Sequence, residues 1–164
     1  MATHVTRPLT AAVVVASNRA AAGVYADTTG PLIVEALQAE GWTVSAPVVV
    51  PDGSPVADAI RDAVDAGARV VLTTGGTGLT PTDRTPEVTK PLIDRPVPGI
   101  AEAIRAHGLA KGVPSAMLSR GLAGMVGSAL VINLPGSTGG VRDGLEVVVP
   151  VLRHAVEQVL GSDH

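Results

Sequence analysis

The sequence has no cysteine, no phenylalanine, one tryptophan and one tyrosine. The lack of cysteine removes disulfides, zinc–thiolate sites and thiol catalysis together, and an intracellular protein is the simplest expectation. With Trp42 and Tyr25 as the whole aromatic complement, the core must be built from Val, Ala, Leu and Ile, and both aromatics are read as packing residues. So few rings disfavour the reading of nucleic acid by stacking successive bases. Charge is also scarce: Lys and Arg number 12, Asp and Glu 15, and the net charge is −3. The basic residues are scattered rather than clustered, so neither nucleic acid nor a membrane surface is an expected partner. Charged residues make up 16% of the chain, below the average of about 25% for soluble domains, which predicts that part of the surface is covered by another copy in a homo-oligomer. No apolar run approaches a membrane span. Arg7, Leu9 to Ala16 and Ala20 to Ala22 imitate a signal peptide, but the apolar part is only about eight residues and Asn18 and Arg19 interrupt it.

What the chain does have is length and aliphatic residues. Its 164 residues, 46% of them hydrophobic, suit one domain (1–164, with 1–9 as a flexible tail) that buries roughly 70% of its extended surface. Continuous Val, Ile and Leu runs at Ala11 to Ala16, Val44 to Val50, Arg69 to Thr73 and Ala129 to Leu134 predict strands buried on both faces. Helical patterns alternate with them. Pro31 and Gly41 bracket one helix; Ser54-Pro55 and Thr85-Pro86 open two more; Pro98 to Lys111 is a fourth. In the last segment Leu145, Val148, Val149, Leu152, Val156, Val159 and Leu160 keep a helical stripe across Pro150, which predicts a helix kinked there. The expected fold is α/β, three layers, with a mostly parallel sheet covered by helices on both faces.

In open parallel sheets ligands bind beyond the carboxyl ends of the strands. The segments there are Ser17-Asn18-Arg19, Pro51-Asp52-Gly53, Thr74-Gly75-Gly76-Thr77-Gly78 and Pro135-Gly136-Ser137. Glycine, hydroxyls and a carboxylate are the equipment of a phosphate site, although each segment alone also reads as a turn. The glycine run lacks the Lys of G-x-x-x-x-G-K-[ST] and does not fit G-x-G-x-x-G, so neither nucleotide fingerprint applies. Asp83 fits a functional acid or a residue favouring the start of the third helix. Arg142, a cation early in the last helix, either faces a bound phosphate or is neutralised by Asp143. The four histidines lack partner ligands in the sequence: His4 and His164 lie near the ends, His107 and His154 on helices.

The run Thr73-Thr74-Gly75-Gly76-Thr77-Gly78-Leu79-Thr80-Pro81-Thr82-Asp83-Arg84-Thr85-Pro86-Glu87 resembles the molybdopterin adenylyltransferase family, the MogA/MoaB type that includes the G domain of gephyrin. The likeness extends to Ser17-Asn18-Arg19 with Gly23, Asp27 and Gly30, to Val50-Pro51-Asp52, to Met117-Leu118-Ser119-Arg120, and to Ile132-Asn133-Leu134-Pro135-Gly136-Ser137. It departs from many relatives where Ser137 is followed by Thr138 rather than proline.

The resemblance implies a cytoplasmic trimer, or a hexamer, whose substrates are molybdopterin and Mg-ATP. The terminal phosphate of molybdopterin attacks the α-phosphate, pyrophosphate leaves, and the adenylylated product passes to the molybdate-insertion protein of the pathway. Asp52 and Asp83 match the family's catalytic acids and are the expected Mg²⁺ ligands. Thr74, Gly75, Gly76, Thr77, Gly78, Ser119, Arg120, Pro135, Gly136 and Ser137 match its substrate-binding segments. The motif does not separate enzymes from binding-only relatives. A molybdopterin-binding paralogue or oligomeric scaffold without turnover is the alternative, and hydrolysis of a nucleotide-containing small molecule is a third.

Overall fold

The computed structural model describes residues 8–161. Its strands are β1 (Thr10–Ala16), β2 (Thr43–Val44), β3 (Val48–Val50), β4 (Val70–Thr74), β5 (Arg95–Pro96), β6 (Ala123–Val126) and β7 (Ala129–Leu134). The α-helices are α1 (Asn18–Ala21), α2 (Thr29–Ala39), α3 (Ser54–Asp65), α4 (Thr85–Thr89), α5 (Pro98–Ala110) and α6 (Thr138–Val159). One seven-stranded sheet runs β2-β1-β4-β7-β6-β5, with β3 also paired to β1. The centre, β1, β4 and β7, is parallel, with Val13 beside Leu72 and Leu72 beside Ile132.

The period-two geometry of those central strands separates two cores. Val13 and Val15 of β1, Leu72 of β4 and Ile132 of β7 pack with Ile33 and Leu37 of α2, Ile104 of α5, and Val141, Leu145, Val148, Leu152 and Val156 of α6. Val14, Ala16, Val71 and Val131 point the other way and pack with Val56, Ala59 and Ile60 of α3. This is why the strands read as unbroken aliphatic runs: both faces are buried. Each fully buried Leu or Ile contributes about 1.5–3 kcal/mol relative to exposure.

The three-layer, mostly parallel architecture is as expected, with three local differences. The expected strand over Val44 to Val50 is two short ones, because Ser45, Ala46 and Pro47 leave the ladder and Pro47 has no N–H to give it. β5 and β6 add an antiparallel edge that the aliphatic pattern did not announce. The third helix is only Thr85–Thr89 and passes at once into a 3-10 turn over Lys90–Leu92. The last helix begins at Thr138, a turn ahead of Arg142, and runs through Pro150 as its buried stripe predicts. Residues 1–7, His4 among them, and His164 lie outside the described residues; Leu9, at the end of the expected tail, packs partly buried against the larger core.

Candidate active site

The parallel strands deliver their carboxyl-terminal loops to one cavity of about 550 Å³. β1 brings Ser17, Asn18 and Arg19; β3 brings Asp52; β4 brings Thr74, Gly75 and Gly76; β7 brings Gly136, Ser137 and Thr138. Tyr25, Asp27 and Thr28, between α1 and α2, Thr29 at the first position of α2, and Thr82 with Asp83 complete most of the wall.

Local hydrogen bonds fix these loops to one another. The Asp52 backbone N–H donates to Asn18 Oδ1 at 2.9 Å, so the β1 loop holds the acid of the β3 loop. Ser17 Oγ accepts from the Ala20 N–H at 3.2 Å and caps α1. Asp27 Oδ1 accepts from the Gly30 N–H at 3.1 Å at the start of α2. Thr74 Oγ1 donates to the Pro135 carbonyl at 2.7 Å, tying the β4 and β7 loops together. Ser137 Oγ accepts from the Gly140 N–H at 3.0 Å, and the positive end of the 22-residue α6 begins at the cavity wall, where it favours an anion.

Two glycines are dictated by what surrounds them. Gly75 has φ +89° and Gly76 φ +69°, a region costly for other residues. A Cβ on Gly75 would strike the Ala16 carbonyl of β1, and one on Gly76 would strike Thr85 Oγ1 and Asp52 Oδ1. Thr85 Oγ1 in turn donates to the Gly75 carbonyl at 2.9 Å. The chain is folded this tightly because the loop must return from β4 to α4 while passing beside Asp52.

Behind the cavity, Arg120 holds the same loop. Its backbone N–H donates to the Thr77 carbonyl, its Nε to the Gly78 carbonyl and its Nη2 to the Asp83 carbonyl, each at 2.9 Å. Nη1 pairs with the Glu87 carboxylate, and that hydrogen bond holds Glu87 below the usual carboxylate range. Arg105 Nη1 donates to the Ser119 and Gly121 carbonyls at 3.3 and 3.2 Å and fixes the segment that carries Arg120. Deeper still, the buried Asn133 amide donates to Thr73 Oγ1 and Thr89 Oγ1 at 2.9 and 3.3 Å, while its Oδ1 accepts from the Leu122 N–H.

The two acids differ. Asp83 Oδ2 accepts from the Thr80 N–H at 3.1 Å. Asp52 Oδ1 is buried and has no hydrogen-bond partner among the described residues. Burial pushes the Asp52 carboxyl above its usual range and the charge of Asp83 adds to this, while the Arg84 backbone N–H pulls the other way. A buried, unpartnered carboxylate oxygen beside a second acid suits a hard divalent cation such as Mg²⁺, which takes oxygen ligands.

Of the residues expected at the site, Asp52, Asp83, Thr74, Gly75, Gly76, Gly136 and Ser137 line this cavity. Thr77, Gly78 and Arg120 stand behind it; Ser119 and Pro135 line a neighbouring cavity of about 230 Å³ that shares Ser137. The wall also holds residues to which the expected site gave no individual role, although Arg19 comes from a segment expected beyond β1 and Asp27 from a stretch of the family likeness. Arg19 is the only Lys or Arg lining the cavity among the described residues, and Asp27 caps its rim. Tyr25, expected to pack, is instead 52% exposed at the cavity, whereas Trp42 is buried. The position of Ser17-Asn18-Arg19 after a strand was the available signal for Arg19; nothing in the pattern distinguished Tyr25 from a core residue.

Arg142 does not line the cavity but an open groove between α2 and α6 that also holds Glu35 and Glu40. Its neighbour Asp143 pairs instead with Lys111 at 3.1 Å. Helix packing gives His107 the neighbours its sequence context lacks: Glu146 lies 2.7 Å from its Nε2, with Asp143 close by. Lys111 Nζ sits 3.1 Å from both Asp143 and Glu146, so an ammonium already balances that cluster. A further cavity of about 600 Å³, between β1 to β3 and α3, is lined mainly by Ala and Val and holds none of the expected residues.

Glycine loops, a helix start, a cation and two acids gather at the ends of parallel strands in an α/β protein, a donor set that suits a phosphorylated ligand and a divalent metal. The chain belongs to the family described as "Probable molybdopterin binding domain", whose model matches residues 12–154. It is 37% identical over 153 residues to the molybdopterin adenylyltransferase of Pyrococcus furiosus, covering 88% of this chain and 90% of that one. Among solved structures, the molybdopterin biosynthesis Mog protein from Mycobacterium ulcerans is 50% identical with a TM-score of 0.87, over 92% of this chain and 98% of that one. The molybdopterin biosynthesis enzyme MoaB from Thermus thermophilus is 45% identical with a TM-score of 0.86, over 94% and 98%. The chain spans about half the length of the curated bifunctional relatives it matches, 49% and 48%. Among the described residues, no helix is long and apolar enough to cross a membrane.

Proposed function

We propose that this protein is a molybdopterin adenylyltransferase of molybdenum cofactor biosynthesis, joining molybdopterin to the AMP part of Mg-ATP with release of pyrophosphate. The observation that carries this reading is the buried, unpartnered Asp52 Oδ1 beside Asp83 in a cavity walled by glycine turns, hydroxyls and the start of α6. A purely ligand-holding site has no need of an uncompensated carboxylate, which costs stability unless a cation or proton reaches it.

In this mechanism the Gly75-Gly76 turn and the start of α6 hold phosphate groups, Arg19 offers them a positive charge, and Asp52 and Asp83 are the residues that would hold Mg²⁺. Bound there, such an ion would supply neutralisation of the charge that develops on the phosphates. An oxygen of the terminal phosphate of molybdopterin forms a bond to the α-phosphorus, and the bond from that phosphorus to the pyrophosphate oxygen breaks. The attacking phosphate is already ionised, so no general base is required. Positioning and electrostatics supply the rate, as in phosphoryl transfer generally.

Incubation with molybdopterin and Mg-ATP, followed by product analysis, tests the reading. Adenylyl-molybdopterin with stoichiometric pyrophosphate is expected. Tight binding of molybdopterin without adenylate would instead identify the binding-only alternative. We further propose a cytoplasmic homotrimer that passes its product to the molybdate-insertion protein. The low charge content and the exposed Leu109, Val113, Met117 and Leu118 around the end of α5 support the assembly, and light scattering reads it directly.

A further inference from the structure

We propose that Tyr25 is a stacking platform for the planar heterocycle of the phosphorylated ligand, and so a determinant of which ligand the cavity accepts. The inference rests on the adenylyltransferase reading for its choice of ligands: the ring is either the adenine of ATP or the pterin of molybdopterin.

Nearly all of the cavity wall suits phosphate, ribose or metal and offers nothing flat to a ring. It is made of hydroxyls, carboxylates, glycines and short aliphatic side chains. Among the described residues, Tyr25 is the only aromatic side chain on that wall. It is 52% exposed, and the adjoining Val24 is more exposed still. The protein's other aromatic, Trp42, lies in the core at 4% exposure, which is where an aromatic goes when it only packs.

The ring is also held. The Tyr25 hydroxyl shares a 3.0 Å hydrogen bond with Ser17 Oγ, the residue that caps α1. Upstream, the Gly23 N–H donates to the Ala20 carbonyl and the Val24 N–H to the Arg19 carbonyl, closing α1 through a glycine at φ +75°. Downstream, Asp27 Oδ1 accepts from the Gly30 N–H at the start of α2. The segment is thus anchored on both sides, and a tyrosine with two rotatable side-chain bonds loses little entropy when a ligand covers it. Stacking of a base on an aromatic side chain is worth roughly 5- to 150-fold in affinity.

The single tyrosine makes a direct test available. In full-length protein with ¹³C-labelled tyrosine, the ring signals of Tyr25 should move upfield with saturating Mg-ATP or with molybdopterin, and not with Mg-tripolyphosphate. The ligand that moves them identifies the ring. Tyr25→Leu should weaken binding of that same ligand by at least about fivefold, leave tripolyphosphate affinity unchanged, and contrast with Tyr25→Phe, which should stay within roughly threefold of wild type. Signals unmoved by both ligands, an equal shift with tripolyphosphate, or equal losses in the Leu and Phe variants would overturn the proposal. A protein that makes adenylyl-molybdopterin while Tyr25 stays silent refutes only the stacking role. A protein whose Tyr25 responds but which forms no adenylate refutes only the enzyme reading.

Discussion

The loop from Thr74 to Glu87 has two sides, and they are built in opposite ways. On the side away from the cavity, the carbonyls of Thr77, Gly78 and Asp83 all accept from Arg120, and Glu87 closes the set. On the cavity side, Gly75 and Gly76 bring the loop against Asp52, whose Oδ1 is left without a partner. Satisfaction behind permits dissatisfaction in front: a carboxylate oxygen can be kept buried and unpaired only where its surroundings cannot relax onto it. The same comparison separates the two acids, since Asp83 Oδ2 is held by the Thr80 N–H while Asp52 Oδ1 is held by nothing.

Breaking the cavity side should have the largest effect on rate. Asp52→Asn and Asp83→Asn are expected to keep near wild-type affinity for molybdopterin and to lose at least about 10²-fold in adenylate formation, roughly 2.7 kcal/mol of transition-state stabilisation. Single-turnover assays beside equilibrium binding check this. Full activity in both variants would keep the enzyme and discard these acids as its metal ligands. Gly76→Ala strikes both sides at once, because its new Cβ meets Asp52 and Thr85 in a left-handed conformation. It should cost at least about 1–2 kcal/mol in urea denaturation and weaken phosphate-dependent binding.

Arg120→Lys tests the rear side and should have a smaller effect. Lysine cannot serve the Gly78 and Asp83 carbonyls together with Glu87. We expect about 1–2 kcal/mol lower stability and a fall of about tenfold in kcat with KM nearly unchanged. A raised KM at constant kcat would mean that Arg120 touches substrate, the role its family motif implies.

That contrast also marks how far the sequence could be read. The aliphatic runs of β1, β4 and β7 were legible because burial on both faces leaves no polar alternation, and their loops were legible because ligand sites follow such strands. β5 and β6 were not: Arg95-Pro96 is a two-residue exposed edge, and Ala123-Gly124-Met125-Val126 has little strand character. Gly124 is there because a Cβ would meet Ile93 and the Arg95 carbonyl, a tertiary reason that no local pattern carries. The motif around Arg120 was legible, but whether it faces ligand or loop was not, since both uses need a cation at the same position. Tyr25 escaped for the converse reason: one tyrosine in an aliphatic chain looks like core until its exposure is known.

The smallest expected effect is the sharpest test of the cavity side. Burial raises the folded-state pKa of Asp52 above its unfolded value, so the folded protein binds that proton more tightly than the unfolded chain does. Stability from this group is therefore greatest at acidic pH and is lost as pH rises through the raised folded value. The amide that replaces the carboxylate in Asp52→Asn carries no such charge. The variant that loses turnover should consequently be slightly more stable than wild type at pH 7 without metal, and the difference should close as pH falls through the carboxylate range. Addition of Mg²⁺ should reverse the order, because an ion bound to the folded wild type stabilises it and finds no carboxylate at this position in the variant. Thermal melts of both proteins at two pH values, with and without Mg²⁺, read all of these states. A wild type that is the more stable at pH 7 without Mg²⁺, or that gains no more from Mg²⁺ than the variant, would show that Asp52 is already satisfied and is not held open for a cation.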